Sequence, residues 1–211
     1  MYNLPYYKEH DTETAIAFMR EHPFVFLTGC DADNKPVATQ VPVFIDEKNG
    51  KLFLTGHIMK KTDHHLAFEK NPEVLAVFTG PHVYVSGTWY NDPHQASTWN
   101  YVSVHAKGMI RFGTGDELVA ILKRLSLHYE SNNPASTTIF DNLSPAYIEP
   151  LIKAIVSFEI EVTGIDTVFK LSQNRDEKSY DNIIGKLKEG DHDAKAIAEM
   201  MEKRKSKVFI K

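Results

Sequence analysis

The sequence predicts a mainly β fold, a closed antiparallel β-barrel with helices attached. Short runs of β-branched and aromatic residues recur along the chain and are separated by turn residues, as is typical of strands. The intervening helices do not alternate regularly with these runs, as they would in a doubly wound parallel sheet. A chain of 211 residues can bury one sizeable core. We therefore expect one barrel domain over residues 1–175 and a helical extension of the same domain over residues 176–211.

The first part of the chain predicts one helix and three strands. A helix beginning near Thr12 has an acidic first turn and ends before Pro23. Polar turns join the strands, and the Asn-Gly pair before the third is a strong hairpin signal. These strands are expected at Phe24–Cys30, Val37–Ile45 and Lys51–Thr55. Because Pro42 cannot donate to a β ladder, it predicts a sheet edge or a bulge in the second strand.

Helices and strands are mixed in the middle of the chain. A short helix over Thr62–Lys70 stops at Asn-Pro, and a longer one over Gly115–Glu130 carries apolar residues at spacings of three and four. The runs between these helices predict three further strands, at Glu73–Thr79, Val83–Ser86 and Tyr101–Phe112.

The last third predicts two more strands and three helices. A helix over Ser144–Ala154 begins with Ser-Pro, which suits an N-cap and a first helical position. Strands follow at Ile155–Val162 and Asp166–Leu171. Two helices complete the chain, at about Asp176–Lys188 and Ala194–Lys205, and the basic residues at the end of the second are explained by a solvated helix end.

Charge and cysteine content exclude several classes of protein. A formal net charge of -4 and a pI near 6.2 give no global positive field, which disfavours sequence-independent binding to nucleic acid. Cys30 is the only cysteine, so neither an intramolecular disulfide nor a CxxC site is possible. The first residues lack the pattern of a secretory signal, and no run of 18 apolar residues exists. We therefore expect a cytoplasmic protein.

The stretch from Gly80 to Gly108 contains both tryptophans of the chain and is the richest in functional signals. Its polar loop, residues 87–97, would leave bulky rings in water unless something covers them. We expect the rings to cover either a partner subunit or a planar ligand. The alternative is that they are only core and interface rings. The rings concerned are Trp89, Tyr90, Trp99 and Tyr101.

Two basic residues, Lys60 and Lys61, directly precede the helix expected at Thr62. The free N–H groups and dipole of a helix start favour an anion. Two ammonium groups, the threonine hydroxyl and this helix end would make a phosphate site. The alternative is a solvated lysine pair at the end of a strand.

A second polar signal is the sequence SQNR, residues 172–175. Gln173 and Asn174 offer both donors and acceptors, which suits the uracil-like edge of a flavin or a nucleobase. The alternative is a helix-capping loop. Other chemistries have little support, because the ten histidines form no tight metal-ligand pattern and no GxSxG nucleophile motif is present.

Several motifs together resemble a known family. They are MYNLPYY at the start of the chain, GHIMKK, GPHVYVSGTWY, STWNYVSVHAKG and FKLSQNR. In this order, over nearly the whole chain, they resemble the FMN-binding PaiB-type proteins, a family of negative transcriptional regulators. That family is similar to the pyridoxamine-phosphate-oxidase-like split barrels. The resemblance implies a six-stranded antiparallel split barrel that forms a homodimer, with FMN in clefts at the interface.

The resemblance also implies roles for particular residues. Lys60, with Lys61 and Thr62, would bind the FMN phosphate, and relatives commonly have arginine at the first position and Asn-Pro in place of Thr62-Asp63. The residues lining the flavin would be Thr39, Val41, Thr55 and His57. Those covering the ring or the interface would be Trp89, Tyr90, Trp99 and Asn100, and those closing the site would be Gln173 and Asn174.

The implied function is FMN binding in a cytoplasmic homodimer with a redox or regulatory role. A flavoprotein enzyme would take a small-molecule electron donor such as a nicotinamide nucleotide, because the cofactor carries the redox chemistry. One alternative is a DNA-binding repressor without turnover, which the net charge and the absence of a basic recognition helix disfavour. The other is haem binding, with His57 or a histidine of the aromatic stretch as axial ligand.

Overall fold

A computed structural model describes residues 1–92 and 94–209. Pro93 of the expected loop, and Ile210 and Lys211 of the expected C-terminal extension, lie outside the described residues.

The described residues form seven strands and six α-helices. The strands are β1 (Phe24–Cys30), β2 (Pro36–Pro42), β3 (Phe44–Lys48), β4 (Lys51–Met59), β5 (Glu73–Val85), β6 (Thr98–Phe112) and β7 (Ile155–Lys170). The helices are α1 (Thr12–Glu21), α2 (Asp63–Lys70), α3 (Gly115–Tyr129), α4 (Pro145–Ala154), α5 (Glu177–Lys188) and α6 (His192–Val208). Short 3-10 turns occupy residues 5–7, 87–89 and 140–142.

The strands form one sheet in the order β2-β1-β5-β6-β7-β4-β3. Strand β1 pairs antiparallel with β2 and β5, and β4 pairs antiparallel with β3 and β7. Strand β4 is therefore held on both sides, which fixes the orientation of the side chains that project from it.

The number of strands corrects the expectation of six. The eight predicted runs become seven strands, because one run is divided and two pairs of runs are merged. Pro42 ends β2 and β3 begins at Phe44, so a single predicted strand is divided where proline cannot continue the ladder. The prediction of an edge at Pro42 is confirmed, since β2 lies at one edge of the sheet and β3 at the other.

The merged strands are β5 and β7, which run through positions where the sequence suggested interruptions. Strand β5 continues past Gly80 and Pro81, and β7 continues past Gly164. Pairing with neighbouring strands overrides local strand propensity at these positions.

Helix starts follow the local sequence closely. Each of five helices has an N-cap side chain that accepts a hydrogen bond from a backbone N–H of its first turn, as Asp and Thr residues commonly do at this position. The caps are Asp11, Thr62, Thr114, Asp176 and Asp191. No helix within the described residues is both long and apolar enough to span a membrane.

The chain forms two compact units, each discontinuous in sequence. Unit 1 comprises residues 1–22, 78–105 and 166–211, and unit 2 comprises residues 23–77 and 106–165. Fully buried side chains fill unit 2, among them Leu27, Leu54 and Ile160, and unit 1 has its own, among them Val168, Tyr180 and Ile197. The division into a barrel over 1–175 and an extension from 176 remains a prediction.

Candidate functional site

The candidate site is built on strand β4 in unit 2. Its residues alternate between two faces, with the buried Leu54 and Ile58 on the core face. Thr55 and His57 therefore share the other face. They lie directly opposite residues 159 and 157 of β7.

The turn after β4 has an unusual backbone conformation. Lys61 adopts φ +64°, in the left-handed region that side-chain-bearing residues other than Asn and Asp rarely occupy. The N–H of Lys60 donates to the carbonyl oxygen of Ala154 at 2.8 Å, which fixes the start of the turn. Thr62 returns to an extended conformation, with φ -77° and ψ 164°, and caps α2. Strained residues of this kind persist where the surroundings hold them and are concentrated at functional sites.

Residues 60–62 form this turn, called the lysine turn below. Its two lysines carry positive charge that no described residue neutralises. Within the part of the chain that the structure describes, neither Lys60 nor Lys61 has an ion-pair partner. Both lie next to the N-terminus of α2, whose dipole adds partial positive charge. The turn can therefore receive an anion.

Asp63 opposes this field because its carboxylate lies in the first turn of α2. Hydrogen bonds from the backbone and side chain of His64 lower the pKa of Asp63 below its usual value, so the group is ionised at neutral pH. The negative charge is exposed and lies one residue from the Thr62 cap.

The hydroxyl of Thr62 already has partners. It donates to the carbonyl oxygen of Met59 at 3.0 Å and accepts from the N–H of His65 at 3.4 Å. Its oxygen also lies 3.0 Å from Nε2 of His64. A bound anion would share this hydroxyl with the helix cap.

His57 has spare hydrogen-bonding capacity beside the turn. Its Nδ1 is buried and has no hydrogen-bond partner within the described residues. Burial lowers the pKa of His57 below its usual 6.5, so the ring is neutral at neutral pH. A neutral imidazole with an unused ring nitrogen can donate to a ligand or accept from one, depending on its tautomer.

Thr39 and Val41 belong to the core face of the sheet. They lie opposite Leu27 and Val25 of β1, which are both fully buried, and Val41 itself is 7% exposed. Opposite residues in an antiparallel pair project from the same face. The structure therefore groups Thr55 and His57 with the lysine turn and does not bring Thr39 and Val41 to that face.

The aromatic residues of unit 1 divide into exposed and buried rings. Trp99 is 53% exposed, and its ring contacts those of His82 and Tyr84. Tyr90 is 4% exposed, its hydroxyl has no partner within the described residues, and the guanidinium of Arg175 stacks 4.1 Å from its ring centroid. The other two candidate rings of the stretch from Gly80 to Gly108, Trp89 and Tyr101, are half-buried.

The amide residues of unit 1 make internal hydrogen bonds. Asn100 is fully buried, accepts from Ser172 Oγ at 3.0 Å and donates to the Sδ of Met201 at 3.7 Å. Gln173 accepts from the N–H of Leu171 at 2.7 Å and donates to the carbonyl oxygen of Phe169.

Asn174 is exposed and accepts from the Tyr7 hydroxyl at 3.1 Å. Its side-chain NH₂ remains free for a ligand within the described residues. The amide of Gln173 is instead used to form the loop before α5.

Sequence reasoning did not identify two polar residues that the structure makes prominent. Lys170 is 7% exposed, and its ammonium donates to Thr98 Oγ1 and to the carbonyl oxygen of Trp99. Ser157 is 1% exposed, and its hydroxyl has no partner within the described residues. Both lie in β7, which carries several other polar residues, so the sequence offered no signal that singled them out.

Comparisons with known proteins show the family to which the chain is related. Residues 1–164 match the family described as "Putative FMN-binding domain". The chain is 35% identical over 208 residues to the protease synthase and sporulation protein PAI 2 of Bacillus subtilis strain 168, covering 98% of this chain and 99% of that protein.

Solved structures have the same fold at low sequence identity. The flavocytochrome Anf3 of Azotobacter vinelandii matches with a TM-score of 0.56 at 15% identity, over 86% of this chain and 78% of that chain. The FAD and haem binding protein of Mycobacterium smegmatis matches with a TM-score of 0.51 at 14% identity, over 77% and 73%. The expected antiparallel split barrel with helices is thus confirmed, with seven strands instead of six.

Proposed function

Because the chain belongs to this FMN-binding domain family, whose cofactor is FMN, we propose that strand β4 and the lysine turn hold that cofactor in a homodimer with a redox or regulatory role. The observation that carries the proposal is the pair of unneutralised lysines at the start of α2, in a turn held in a left-handed conformation at Lys61. The PaiB-type relationship supports the regulatory part of the role.

The phosphate end of FMN fits the turn. A phosphate monoester carries between one and two negative charges at neutral pH, and two lysines with a helix N-terminus supply the opposite field. Lysine provides point charges and not the bidentate fork of arginine, so the site gains electrostatic attraction with less geometric specificity. Lys60, Lys61 and Thr62 are the residues proposed to contact the phosphate.

The ring end of FMN fits the face of β4 that carries Thr55 and His57. Thr55 and the neutral His57 would line the flavin, and the unused Nδ1 of His57 can form a hydrogen bond to it. When bound, FMN supplies one- and two-electron redox chemistry, and the protein supplies binding, orientation and exclusion of water.

The second subunit would complete the site in the proposed dimer. Trp89, Tyr90 and Trp99 would cover the ring or the interface, and the exposure of Trp99 supports a role at a contact surface. Thr39, Val41, Asn100, Gln173 and Asn174 are also proposed from the family resemblance. Among these five, the free NH₂ of Asn174 is the best placed to reach a ligand.

A regulatory role would require contact with DNA or with a partner molecule. The net charge of -4 gives no general affinity for DNA, so a regulator of this kind would act through a partner or through a local contact. Salt-dependent binding to promoter DNA would favour the repressor alternative over a redox or sensing role.

The test is a pair of titrations with FMN and riboflavin, which lacks the phosphate, followed by flavin fluorescence. We expect the wild type to prefer FMN, and Lys60→Ala/Lys61→Ala to lose about tenfold or more of FMN affinity while riboflavin binding changes little. Lys186→Ala/Lys188→Ala is the matched control, because it removes the same charge from lysines paired with Glu189 and Glu202. Equal affinity for the two flavins in the wild type would contradict the phosphate site, and sedimentation at micromolar concentration tests the dimer.

Haem binding is the second candidate, and a specific observation favours it. The pKa of His57 is lowered, so its imidazole is neutral, as an axial ligand must be, and one ring nitrogen is unused. Addition of haemin should then give a Soret band that His57→Ala abolishes. A spectrum unchanged from free haemin excludes this candidate.

A further inference from the structure

Unit 2 contains a cavity separate from the lysine turn. It lies beside α3 and the paired strands β4 and β7, and its volume is about 290 Å³. This is at the small end of the range for ligand sites. Thr55 of β4 and Ile121 of α3 are among the residues that line it.

The charged groups of the cavity neutralise one another. Arg124 makes a two-pronged ion pair with Asp46, at 2.7 and 2.8 Å. Arg111 bridges Glu117 and Glu159, with both contacts at 2.9 Å. A further contact at 3.0 Å joins Glu159 to Lys48. Three acids therefore face three bases, and a charged ligand would have to compete with these pairs.

The cavity also has one buried polar group with no partner. Ser157 lines it at 1% exposure, and its Oγ makes no hydrogen bond within the described residues. Burying a hydroxyl without a partner is costly, so such groups are rare unless a ligand or water completes them.

Gly113 packs closely against this hydroxyl. A Cβ at position 113 would lie 2.4 Å from Ser157 Oγ and 2.8 Å from Glu117 Oε2, so both oxygens lie beside the glycine backbone at the edge of the cavity. The Glu117 carboxylate also accepts from Arg111 and from the N–H of Thr114, and it retains further lone pairs as an acceptor.

We propose that this cavity binds the small-molecule partner of the flavin, an uncharged planar ring with a carboxamide-like edge. The inference rests on the proposed FMN function and extends it to the class of substrate. The Ser157 hydroxyl donates to the carbonyl oxygen of the ligand, and a carboxylate oxygen of Glu117 accepts from its amide N–H. The side chain of Ile121 covers the ring.

The balanced charges and the edge chemistry select this ligand class. A carboxamide is neutral and presents an acceptor beside a donor, which matches the hydroxyl and carboxylate that meet at Gly113. A carboxylate of the same shape offers only acceptors, so it would face Glu117 without a proton to share. Thr55 belongs to β4, the strand proposed to hold the flavin, and it also lines the cavity.

The experiment uses nicotinamide and nicotinate, two molecules of the same shape that differ in charge and in donor capacity. Binding to the FMN-loaded protein is measured by calorimetry and by saturation-transfer NMR. We expect saturable binding of nicotinamide, and about tenfold or more weaker binding of nicotinate.

Three variants test the residues. Ser157→Ala should weaken nicotinamide about fivefold or more by removing the donor. Gly113→Ala should abolish binding because its Cβ would displace the Ser157 hydroxyl and the Glu117 carboxylate, and Ile121→Trp should abolish it by filling the cavity. Lys123→Trp is the matched control for the added ring, because residue 123 is exposed on α3 and does not line the cavity. Circular dichroism melting shows which variants are folded.

The FMN titration of the same variants separates this inference from the proposed function. FMN affinity within about twofold of the wild type, together with loss of nicotinamide, supports a separate substrate site. Loss of FMN binding in folded Ile121→Trp would assign the cavity to the flavin and overturn the inference. Failure of wild-type protein to bind nicotinamide overturns it too, while the FMN preference over riboflavin still tests the proposed function alone.

Discussion

His57 and Ser157 lie directly opposite each other on β4 and β7, and each has a buried polar atom without a hydrogen-bond partner in the described structure. Opposite residues in an antiparallel pair project from one face with Cβ atoms about 5 Å apart. A folded chain retains few unpaired buried polar groups, because each costs about 1–3 kcal/mol. Two such groups side by side indicate that ligands complete them. The strand proposed to hold the flavin and the lining residue Ser157 of the cavity thus lie side by side in unit 2.

Replacing Lys61 by glycine is expected to change the free energy of unfolding and the FMN affinity in opposite directions. Its φ of +64° is strained for lysine but unstrained for glycine. We expect Lys61→Gly to raise the free energy of unfolding by about 0.5 kcal/mol, after the entropy cost of glycine in the unfolded chain. FMN affinity should fall because the charge is removed. Urea denaturation and FMN titration of the same preparation measure both effects.

Lys60→Gly is the control for this substitution, because residue 60 has no left-handed conformation. It should lower the free energy of unfolding while also removing one charge. A lower stability for Lys61→Gly would contradict the assignment of strain to this residue.

Asp63 predicts a gain in binding. Its ionised carboxylate stands at the same helix end as the proposed phosphate, so Asp63→Asn should strengthen FMN binding by about threefold and leave riboflavin unchanged. The substitution removes a favourable charge–dipole contact and should lower the stability slightly. Asp116→Asn, which removes one of the two acidic charges in the first turn of α3, controls for the change of net charge. Unchanged FMN affinity at low salt would place the phosphate elsewhere.

The sequence predicted the fold well where local chemistry decides it. The starts of α1 and α2 were predicted near Thr12 and Thr62, within one residue of those observed, because an oxygen-bearing side chain can cap a helix at each place. The sheet edge at Pro42 was predicted because proline lacks an N–H, whereas the division of the strand there was not. The merging of strands around Pro81 and Gly164 was not, since pairing with distant strands decides it.

The candidate site was predicted less completely than the fold. The lysine turn was visible as adjacent charges before a helix cap, whereas the left-handed φ of Lys61 has no sequence signal. Ser157 is one of several polar residues of β7, and its importance depends on β7 lying beside β4. The internal bonds of Asn100 similarly depend on α6, which is about 100 residues away along the chain.

The Asp46–Arg124 pair predicts a measurable coupling. The guanidinium contacts both carboxylate oxygens and lies 3.9 Å from the centroid of Phe44, while Thr55 donates to Asp46 at 3.2 Å. Burial raises the pKa of Asp46, but hydrogen bonds and charge from Arg124 outweigh it and lower the net value. A double-mutant cycle of Asp46→Ala and Arg124→Ala should give a coupling of about 1 kcal/mol, since Arg124 is 46% exposed.

Arg124→Lys separates the geometry of this pair from its charge. Lysine keeps the charge but cannot form the two-pronged contact, so it should retain less than half of the coupling. Coupling energies indistinguishable from zero would mean that the pair is not formed in solution.

Histidine burial predicts a loss of stability in mildly acidic solution. Burial lowers the pKa of His57 and of His22 below 6.5 in the folded protein. The unfolded chain therefore binds these protons first as the pH falls, and the free energy of unfolding should decrease below about pH 6.5. Carboxylates with lowered pKa, such as Asp46 and Glu159, act only near and below their usual values of 3.8 and 4.5. The interval from pH 7 to 5.5 therefore reports the histidines.

His57→Gln should flatten this part of the stability profile, because glutamine does not titrate. Urea denaturation of the apoprotein at half-unit steps of pH measures the slope, and exposed His10→Gln is the control that should leave it unchanged. An unaltered slope in His57→Gln would mean that the ring is solvated in the folded protein. That result would also remove the support for His57 as a neutral contact for the flavin, because that role depends on the same burial.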